Sequence, residues 1–337
     1  MFPASAIRFA DPSTEFLVYR LTDPAYASHL PAPCGRAVSQ RRSFLLYWSE
    51  RTGSRQAFRM DLKTGGCEQL TQAEALDGLS LTLTPDDRSF CCLDGGSLRQ
   101  VQLRNLKEKE LYRIPAGWKQ GRGFSLSQEG SLGALVEMRE GRWRLRLVRL
   151  GSGSASTLVE GPVPYSDPQV QPRRQAILYR QGEDAWSVVS LDGRQNRRLP
   201  RASGASGPAY WSPDGRTVLY LHYPEDRRKL YSLREWNRET NTDELVADTS
   251  QFVDFDSNRD ASVFVGASSN RVSPYILLLL RATRREFTLC EHRASDPEQV
   301  TPIFSPDSQR VYFQSDRHGG WAVYSMPVEK FVERTGP

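Results

Sequence analysis

Histidines are the side chains of this sequence best suited to acid–base or metal chemistry near neutral pH. The sequence contains four: His29, His222, His292 and His318. No two of them stand at the short spacings of paired metal ligands, so a histidine-built metal site requires three or more distant segments to converge. What these residues can do therefore depends on how the fold arranges them.

Other catalytic patterns find little support in the sequence. There is no Gly-x-Ser-x-Gly motif, which argues against an α/β-hydrolase nucleophile. Asp86, Asp214 and Asp307 are conspicuous, but each follows a proline in a turn that recurs along the chain. Because aspartate is a typical turn residue, we interpret these three as architecture rather than as catalytic pairs.

Composition indicates a globular protein without a membrane or nucleic-acid role. Charged residues make up 25% of the chain and hydrophobic residues 38%. No apolar run approaches the roughly 20 residues that cross a bilayer, and the N-terminus does not resemble a secretory signal. The net charge of +5 comes with arginines that are scattered rather than grouped with aromatic residues. Five cysteines cannot all be paired, which favours a reducing, cytoplasmic location.

A turn followed by two short strands recurs seven times along the chain. The windows begin at Ser39, Thr84, Ser127, Gln171, Trp211, Phe255 and Phe304. From Ser39 to Ser305 the mean spacing is about 44 residues, with room for four short strands per repeat. This period is typical of propeller blades, so the sequence predicts an all-β, seven-bladed β-propeller with four-stranded blades.

The last repeat runs out of residues after its third strand. Residues 16–22 form a strand-like segment near the N-terminus that can supply the missing fourth strand. We therefore expect the N-terminal strand to complete the last blade and close the ring, with residues 327–337 as a tail. Residues 1–337 are then expected to form a single domain.

Three residues are candidate ligand contacts on the predicted ligand face of the propeller. Arg180 and His222 each follow a second strand, where the turn to the third strand shares a face with the starts of the inner strands. His29 lies in the link between the closing strand and the first blade. A guanidinium at this place suits a carboxylate, although a solvated turn arginine is an equally good interpretation.

The repeats resemble those of TolB-type propellers, which carry the same Ser-Pro-Asp turn and hairpin. A narrower resemblance is to the oligogalacturonate lyases, seven-bladed propellers that cleave short pectin fragments by β-elimination with a bound divalent metal. It is carried by residues 19–22 with 28–30, by residues 58–65, and by residues 304–307 running into 313–316.

The resemblance implies a metal held mainly by histidines and a histidine base, and this sequence departs from both. The family's Gln-x-x-His-x-His run corresponds to residues 296–302, which contain no histidine, and a further ligand histidine corresponds to Asp254. The His-Glu-x-Trp that carries the base corresponds to residues 208–211, beginning at Pro208, and a family arginine corresponds to Asp184. The metal and catalytic residues are therefore expected to be largely replaced.

Asp254, Asp296 and Gln299 form an alternative set of oxygen ligands for a divalent metal such as Mn or Ca. An aspartate just before a strand is also a common turn residue, and the sequence favours no cofactor over a metal.

The sequence thus predicts a divergent oligogalacturonate lyase-like propeller that binds, or β-eliminates, short acidic oligosaccharides, with its lyase activity weakened or lost. The alternative is a TolB-like scaffold that binds a protein partner through its top face. Neither hypothesis involves nucleic acid or a membrane.

Overall fold

The architecture of the chain is a ring of antiparallel sheets. The computed structural model describes residues 6–173, 175–200, 203–226 and 228–334. Within these ranges the chain forms seven sheets and one short 3₁₀ helix, Pro297–Gln299. Each sheet packs against its neighbours in sequence, and the last packs against the first. This confirms the predicted all-β, seven-bladed propeller.

Two strands precede the first complete blade: β1 (Ile7–Ala10) and β2 (Leu17–Arg20). Blades 1 to 3 are formed in turn by β3 (Ser28–His29), β4 (Phe44–Ser49), β5 (Gln56–Asp61) and β6 (Cys67–Gln69); by β7 (Leu76–Leu83), β8 (Ser89–Asp94), β9 (Ser97–Gln102) and β10 (Glu108–Arg113); and by β11 (Lys119–Leu126), β12 (Leu132–Arg139), β13 (Arg142–Arg149) and β14 (Ser154–Gly161).

Blades 4 to 6 are formed by β15 (Tyr165–Val170), β16 (Ala176–Gln181), β17 (Ala185–Ser190) and β18 (Asn196–Arg198); by β19 (Gly204–Trp211), β20 (Thr217–Pro224), β21 (Tyr231–Asn237) and β22 (Thr242–Thr249); and by β23 (Phe252–Ser257), β24 (Val263–Ser268), β25 (Tyr275–Leu280) and β26 (Arg285–Glu291). Blade 7 contains β27 (Ile303–Phe304), β28 (Arg310–Ser315) and β29 (Ala322–Pro327), followed outward by β2 and β1.

The N-terminal strand closes the ring, as predicted. β2 pairs with β29, with Tyr19 opposite Ser325, and the amide of Leu21 donates to the main-chain oxygen of Val323 at 2.8 Å. Six blades have four strands, but β1 adds a fifth to blade 7. Asp11 follows β1 directly and is buried. Its carboxylate accepts a hydrogen bond from the amide of Glu291 in blade 6 at 2.9 Å, and this contact anchors β1.

The aspartates of the recurring turns have the structural role expected of them. In the turn of blade 5, the Ser212 hydroxyl donates to Asp214 at 2.8 Å, and the amide of Arg216 donates to the same carboxylate oxygen at 3.0 Å. In blade 7, the Ser305 hydroxyl donates to Asp307 at 2.7 Å. These bonds satisfy turn groups locally and leave the aspartates fixed in the framework.

The segment after β29 packs against the fold over part of its length. Val328 and Val332 are buried in a core shared with blades 6 and 7, whereas residues 335–337 of the predicted tail lie outside the described residues. All five cysteines are free thiols. Within the described part of the chain, no helix has the length and apolar character to span a bilayer.

Candidate functional site

A cavity of about 610 Å³ lies at the centre of the ring, and all seven blades contribute to its wall. A second cavity of about 450 Å³, lined by turn residues such as Pro172, Pro213 and Pro306, lies further along the axis. Pro33, Cys34, Gln169 and Tyr210 line both cavities. The axis of the propeller is therefore a passage with both polar and apolar walls and with a wider chamber at the end opposite the repeat turns.

Irregular inner strands shape this central cavity. The pairing of the inner strand with the second strand shifts register in each of blades 2 to 6. Residues inside those interruptions line the cavity: Gly78, Leu79, Arg122, Gly123, Asp167, Pro168, Gly207, Pro208 and Val253. Because a bulge redirects side chains and leaves backbone unpaired, these five interruptions supply much of the chemistry of the cavity wall.

Two glycines in these bulges make room for aromatic side chains. A Cβ on Gly78 would lie 2.5 Å from the Cδ1 and Cγ atoms of Trp48, and a Cβ on Gly207 would lie 2.4 Å from the hydroxyl oxygen of Tyr223. Trp48 and Tyr223 both line the cavity. The absence of a side chain on the inner strand thus lets a ring from the second strand reach the axis.

Three arginines face the cavity, and they differ in their partners. Arg122 pairs with Asp167 at 3.1 Å, and Arg55 pairs with Glu50 at 3.1 Å. Arg180 instead donates to the main-chain oxygen of Glu183, and its Nε has no hydrogen-bond partner. The Arg180 guanidinium also lies over the indole of Trp186, 6.0 Å from the ring centroid. Arg180 therefore has donor capacity that the described residues leave unused.

His29 also lines the cavity, at the side of blade 1. Its ring stacks on Trp48 with centroids 4.2 Å apart and planes 14° apart, and Trp321 lies 5.4 Å away. Burial lowers the pKa of the imidazole to about 4, although the charge of Glu50 acts in the opposite direction. His29 is consequently neutral at physiological pH.

His222 is not among the residues described around the cavity. It lies on β20 opposite Ser206, and its ring carbon Cε1 lies 3.0 Å from the position of a Cβ on Gly204. The next residue along the strand, Tyr223, faces the cavity in its place. Successive side chains of a strand point to opposite sides, so a shift of one position decides which residue reaches the axis. A ligand contact by His222 stays a prediction.

Asp254 occupies the blade 6 side of the cavity wall and is buried. Its carboxylate accepts from the Tyr210 hydroxyl at 2.8 Å and from the Phe255 amide at 2.9 Å. Burial raises the pKa of Asp254 to about 7 despite these two hydrogen bonds. Burial and the neighbouring Asp254 charge raise the pKa of Tyr210 well above its ordinary value.

The other two predicted metal ligands lie at the 3₁₀ helix before β27. Asp296 caps this helix by accepting from the Glu298 amide at 3.1 Å, and it accepts from the Gln299 side chain at 2.7 Å. Gln299 lines the cavity with Asp254, whereas Asp296 is not among the residues that line it. The structure thus brings two members of the predicted set to the same cavity and makes the third a capping residue.

Sequence reasoning missed several residues of the cavity wall. Among the polar and aromatic ones are Trp48, Arg55, Asp77, Arg122, Asp167, Gln169, Trp186, Tyr210, Tyr223, Glu298 and Gln314. The available local signal was glycine or proline inside an inner-strand segment, as in Gly78, Gly123 and Gly207-Pro208, because such residues often mark bulges. Asp167, at φ 50° beside Pro168, belongs to the same pattern.

Known proteins of similar sequence include oligogalacturonate lyases. No family model matches the chain. Over 98% of both chains, the sequence is 23% identical to the oligogalacturonide lyase of Pectobacterium atrosepticum. It is also 22% identical to the oligogalacturonate lyase of Dickeya dadantii over 96% of both chains. A shorter match, 31% identical over 41% of this chain, covers 29% of the Tol-Pal system protein TolB of Nitratidesulfovibrio vulgaris.

Solved structures of oligogalacturonate lyases have the same fold. One of them, in complex with manganese, superposes with a TM-score of 0.91 over 97% of both chains at 22% identity. A second, from Vibrio parahaemolyticus, gives a TM-score of 0.90. The resemblance drawn from the repeat motifs is therefore confirmed, together with the seven-bladed ring.

The residues described here do not fit a manganese site of histidine type. Among them, no group of three or more His, Cys, Asp or Glu side chains could hold a metal ion. Oδ1 of Asp254 accepts both hydrogen bonds, from Tyr210 and from a main-chain amide, and the side-chain nitrogen of Gln299 donates to Asp296, which is not among the residues that line the cavity. Pro208 lines the cavity at the position where the resemblance to the lyases implies a histidine. Proline has no titratable side chain, so it cannot act as a base there.

Proposed function

We propose that this chain binds short uronate oligosaccharides in the central cavity and that its β-elimination chemistry is weakened or lost. The observation that carries the binding proposal is Arg180, a cavity guanidinium whose Nε has no hydrogen-bond partner. Its chemistry matches the carboxylate that every uronate residue carries. The substrate named for the sequence relatives, oligogalacturonate, belongs to this class.

Arg180 is the cavity arginine with the most capacity for a new anion. Arg122 and Arg55 already face the carboxylates of Asp167 and Glu50, so an incoming uronate would compete with an existing partner. A charge-assisted hydrogen bond to a carboxylate is roughly twice as strong as a neutral one, and arginine can form two in parallel. Arg180 is therefore the expected carboxylate clamp.

Aromatic side chains of the cavity wall support a sugar rather than a simple inorganic anion. Trp48, Trp186, Tyr210 and Tyr223 line the cavity and combine apolar rings with polar edges. Ligand cavities of this kind, with apolar walls and a few placed polar groups, suit a molecule that has both apolar ring faces and hydroxyls.

Weakened elimination follows from the side chains available for the reaction. β-Elimination from a uronate requires a base that removes the proton next to the carboxylate and a group that stabilises the resulting enolate. Pro208 supplies no base at the position implied by the resemblance, and the described donors do not fit a histidine-held metal. Arg180 alone can stabilise charge but cannot take up a proton at neutral pH.

Titration calorimetry with trigalacturonic acid tests this proposal. Arg180→Gln should weaken binding about tenfold or more, because it removes a charge-assisted bond to the carboxylate. Arg197→Gln, on the outer strand of the same blade, is the matched control and should bind like wild type. The same mixtures, monitored for absorbance of the unsaturated product with and without Mn²⁺, should show little or no turnover.

The outcomes separate the parts of the proposal. Turnover that survives stringent purification would refute the loss of chemistry while leaving binding intact. Equal affinities of wild type and Arg180→Gln would refute the clamp. No binding of galacturonates of any length would refute the binding proposal itself.

A protein-binding scaffold is the second candidate. Val272 and Leu230, in the loops between the second and third strands of blades 6 and 5, are 91% and 60% exposed, respectively. Apolar side chains exposed in this way are typical of surfaces that bind other proteins, and the TolB match favours the same class. Absence of galacturonate binding in the titration above would favour this candidate.

Either function is proposed for the cytoplasm, which agrees with five free thiols.

A further inference from the structure

His29 is a buried polar side chain with unused hydrogen-bonding capacity at the cavity wall. It is 7% exposed, and no hydrogen bond found among the described residues involves its ring nitrogens, which are also not among the fully buried atoms that lack a partner. The nitrogens therefore keep access to the cavity, where a ligand can supply the partner that a polar group in a protein interior requires. The stacked indole of Trp48 covers one face of the imidazole, so the nitrogen-bearing edge is the part left for a ligand.

The chemistry of this edge differs from that of Arg180. A neutral imidazole has one nitrogen that donates and one that accepts. A sugar hydroxyl also donates and accepts, whereas a carboxylate only accepts. His29 is therefore suited to a hydroxyl, and Arg180 is suited to a carboxylate.

The two residues stand on opposite sides of the ring. His29 is on β3 of blade 1, and Arg180 is on β16 of blade 4. Three steps is the largest separation possible between two blades of a seven-membered ring. A ligand that contacts both residues therefore touches two opposite walls of the cavity.

We propose that His29 hydrogen-bonds a hydroxyl of a sugar residue other than the one whose carboxylate contacts Arg180. This inference rests on the proposed function. It assigns the two ends of the ligand to two walls of the same cavity.

The test compares galacturonic acid with trigalacturonic acid in calorimetric and NMR titrations. His29→Phe keeps an aromatic ring against Trp48 but removes both nitrogens, and it should weaken trimer binding about five- to tenfold without changing monomer binding. His318→Phe makes the same substitution at an exposed turn residue of blade 7 outside the cavity lining, and it should match wild type with both ligands. Arg180→Gln should weaken binding of both ligands.

A second variant guards against misfolding of the first. His29→Gln restores a donor and an acceptor without the ring, so it should recover part of the trimer preference. Trimer affinity unchanged in a folded His29→Phe protein would overturn the inference while the proposed function stands. Equal losses for monomer and trimer would also overturn it, because His29 would then contact the same sugar as Arg180. Binding of neither ligand to wild type would instead overturn the proposed function, and the inference with it.

Discussion

The imidazole of His29 lies nearly parallel to the indole of Trp48, with ring centroids 4.2 Å apart. The two residues are directly paired on neighbouring strands, His29 on β3 and Trp48 on β4. Because this packing buries the imidazole, protonation would place a charge among aromatic rings. Burial lowers the pKa of His29. The charge of Glu50 opposes this lowering, whereas the charge of Arg55 adds to it.

The stability of the protein should therefore decrease on acidification through His29. The pKa of His29 is about 4 in the folded state, whereas its ordinary value, which applies to the unfolded state, is 6.5. Between these two pH values the unfolded state therefore binds the proton more readily. The stabilisation is complete above pH 6.5 and is lost as the pH falls towards 4, at a cost of up to about 3 kcal/mol at the lower limit. Urea unfolding at about pH 7 and about pH 4.5 measures this loss.

His29→Phe isolates this contribution from the other titrating groups. The variant should lose less stability than wild type between the two pH values, while His222→Phe should lose more than His29→Phe. An equal loss in wild type and His29→Phe would show that another group governs the acid sensitivity.

Ring closure gives a second prediction, which also tests whether the chain unfolds as one domain. Deleting residues 1–25 removes β1 and β2, exposes the edge of β29 and takes away the anchor from Asp11 to blade 6. Because every blade packs against its neighbours, opening the ring should lower the thermal midpoint of the whole protein. Deleting residues 1–5 alone is the control and should have little effect. A truncated protein that melts like the full chain would rule out a stabilising closure.

The ring itself could be predicted from sequence because its signals are local and repeated. Turn residues and strand-forming residues recur about every 44 positions, and this period specifies a blade. The fifth strand of blade 7 was not predictable in this way. β1 is short, and its position depends on the Asp11 contact with Glu291, which is 280 residues away in sequence.

The cavity was harder to predict than the fold because it depends on exceptions to strand regularity. The sequence puts Arg180 and His29 on the ligand face of the propeller, from a position after a strand and in a link, and both residues line the cavity. The same rule selects His222, whose ligand contact stays a prediction, whereas the residue that lines the cavity on that strand is its neighbour Tyr223. Register shifts change which side chains face the axis, and residue alternation alone does not reveal them.

A substitution at Gly78 tests whether the missing side chain is what allows Trp48 to reach the cavity. Gly78→Ala would place a Cβ 2.5 Å from the indole, so Trp48 must move. We expect a destabilisation of about 1–3 kcal/mol and weaker trigalacturonate binding. Gly151→Ala, whose Cβ would meet nothing within 4 Å, is the control and should unfold like wild type. Unchanged stability and affinity in Gly78→Ala would show that the Trp48 position is not tightly specified.

Substitution of Asp254 tests directly whether the cavity binds a divalent metal ion. Oδ1 of Asp254 accepts two hydrogen bonds, and Nε2 of Gln299 donates to Asp296. The remaining oxygens of Asp254 and Gln299 supply two ligands at the cavity, fewer than the roughly six to eight oxygens that a hard cation such as Ca²⁺ takes. Purified wild type and Asp254→Ala should both contain far less than one equivalent of Mn or Ca by elemental analysis. Added Mn²⁺ should not raise the thermal midpoint of either, because a ligand that binds only the folded state would do so. One equivalent of metal in wild type that is lost in Asp254→Ala, with Asp254→Asn as a folded control, would establish Asp254 as a ligand and restore a metal to the cavity.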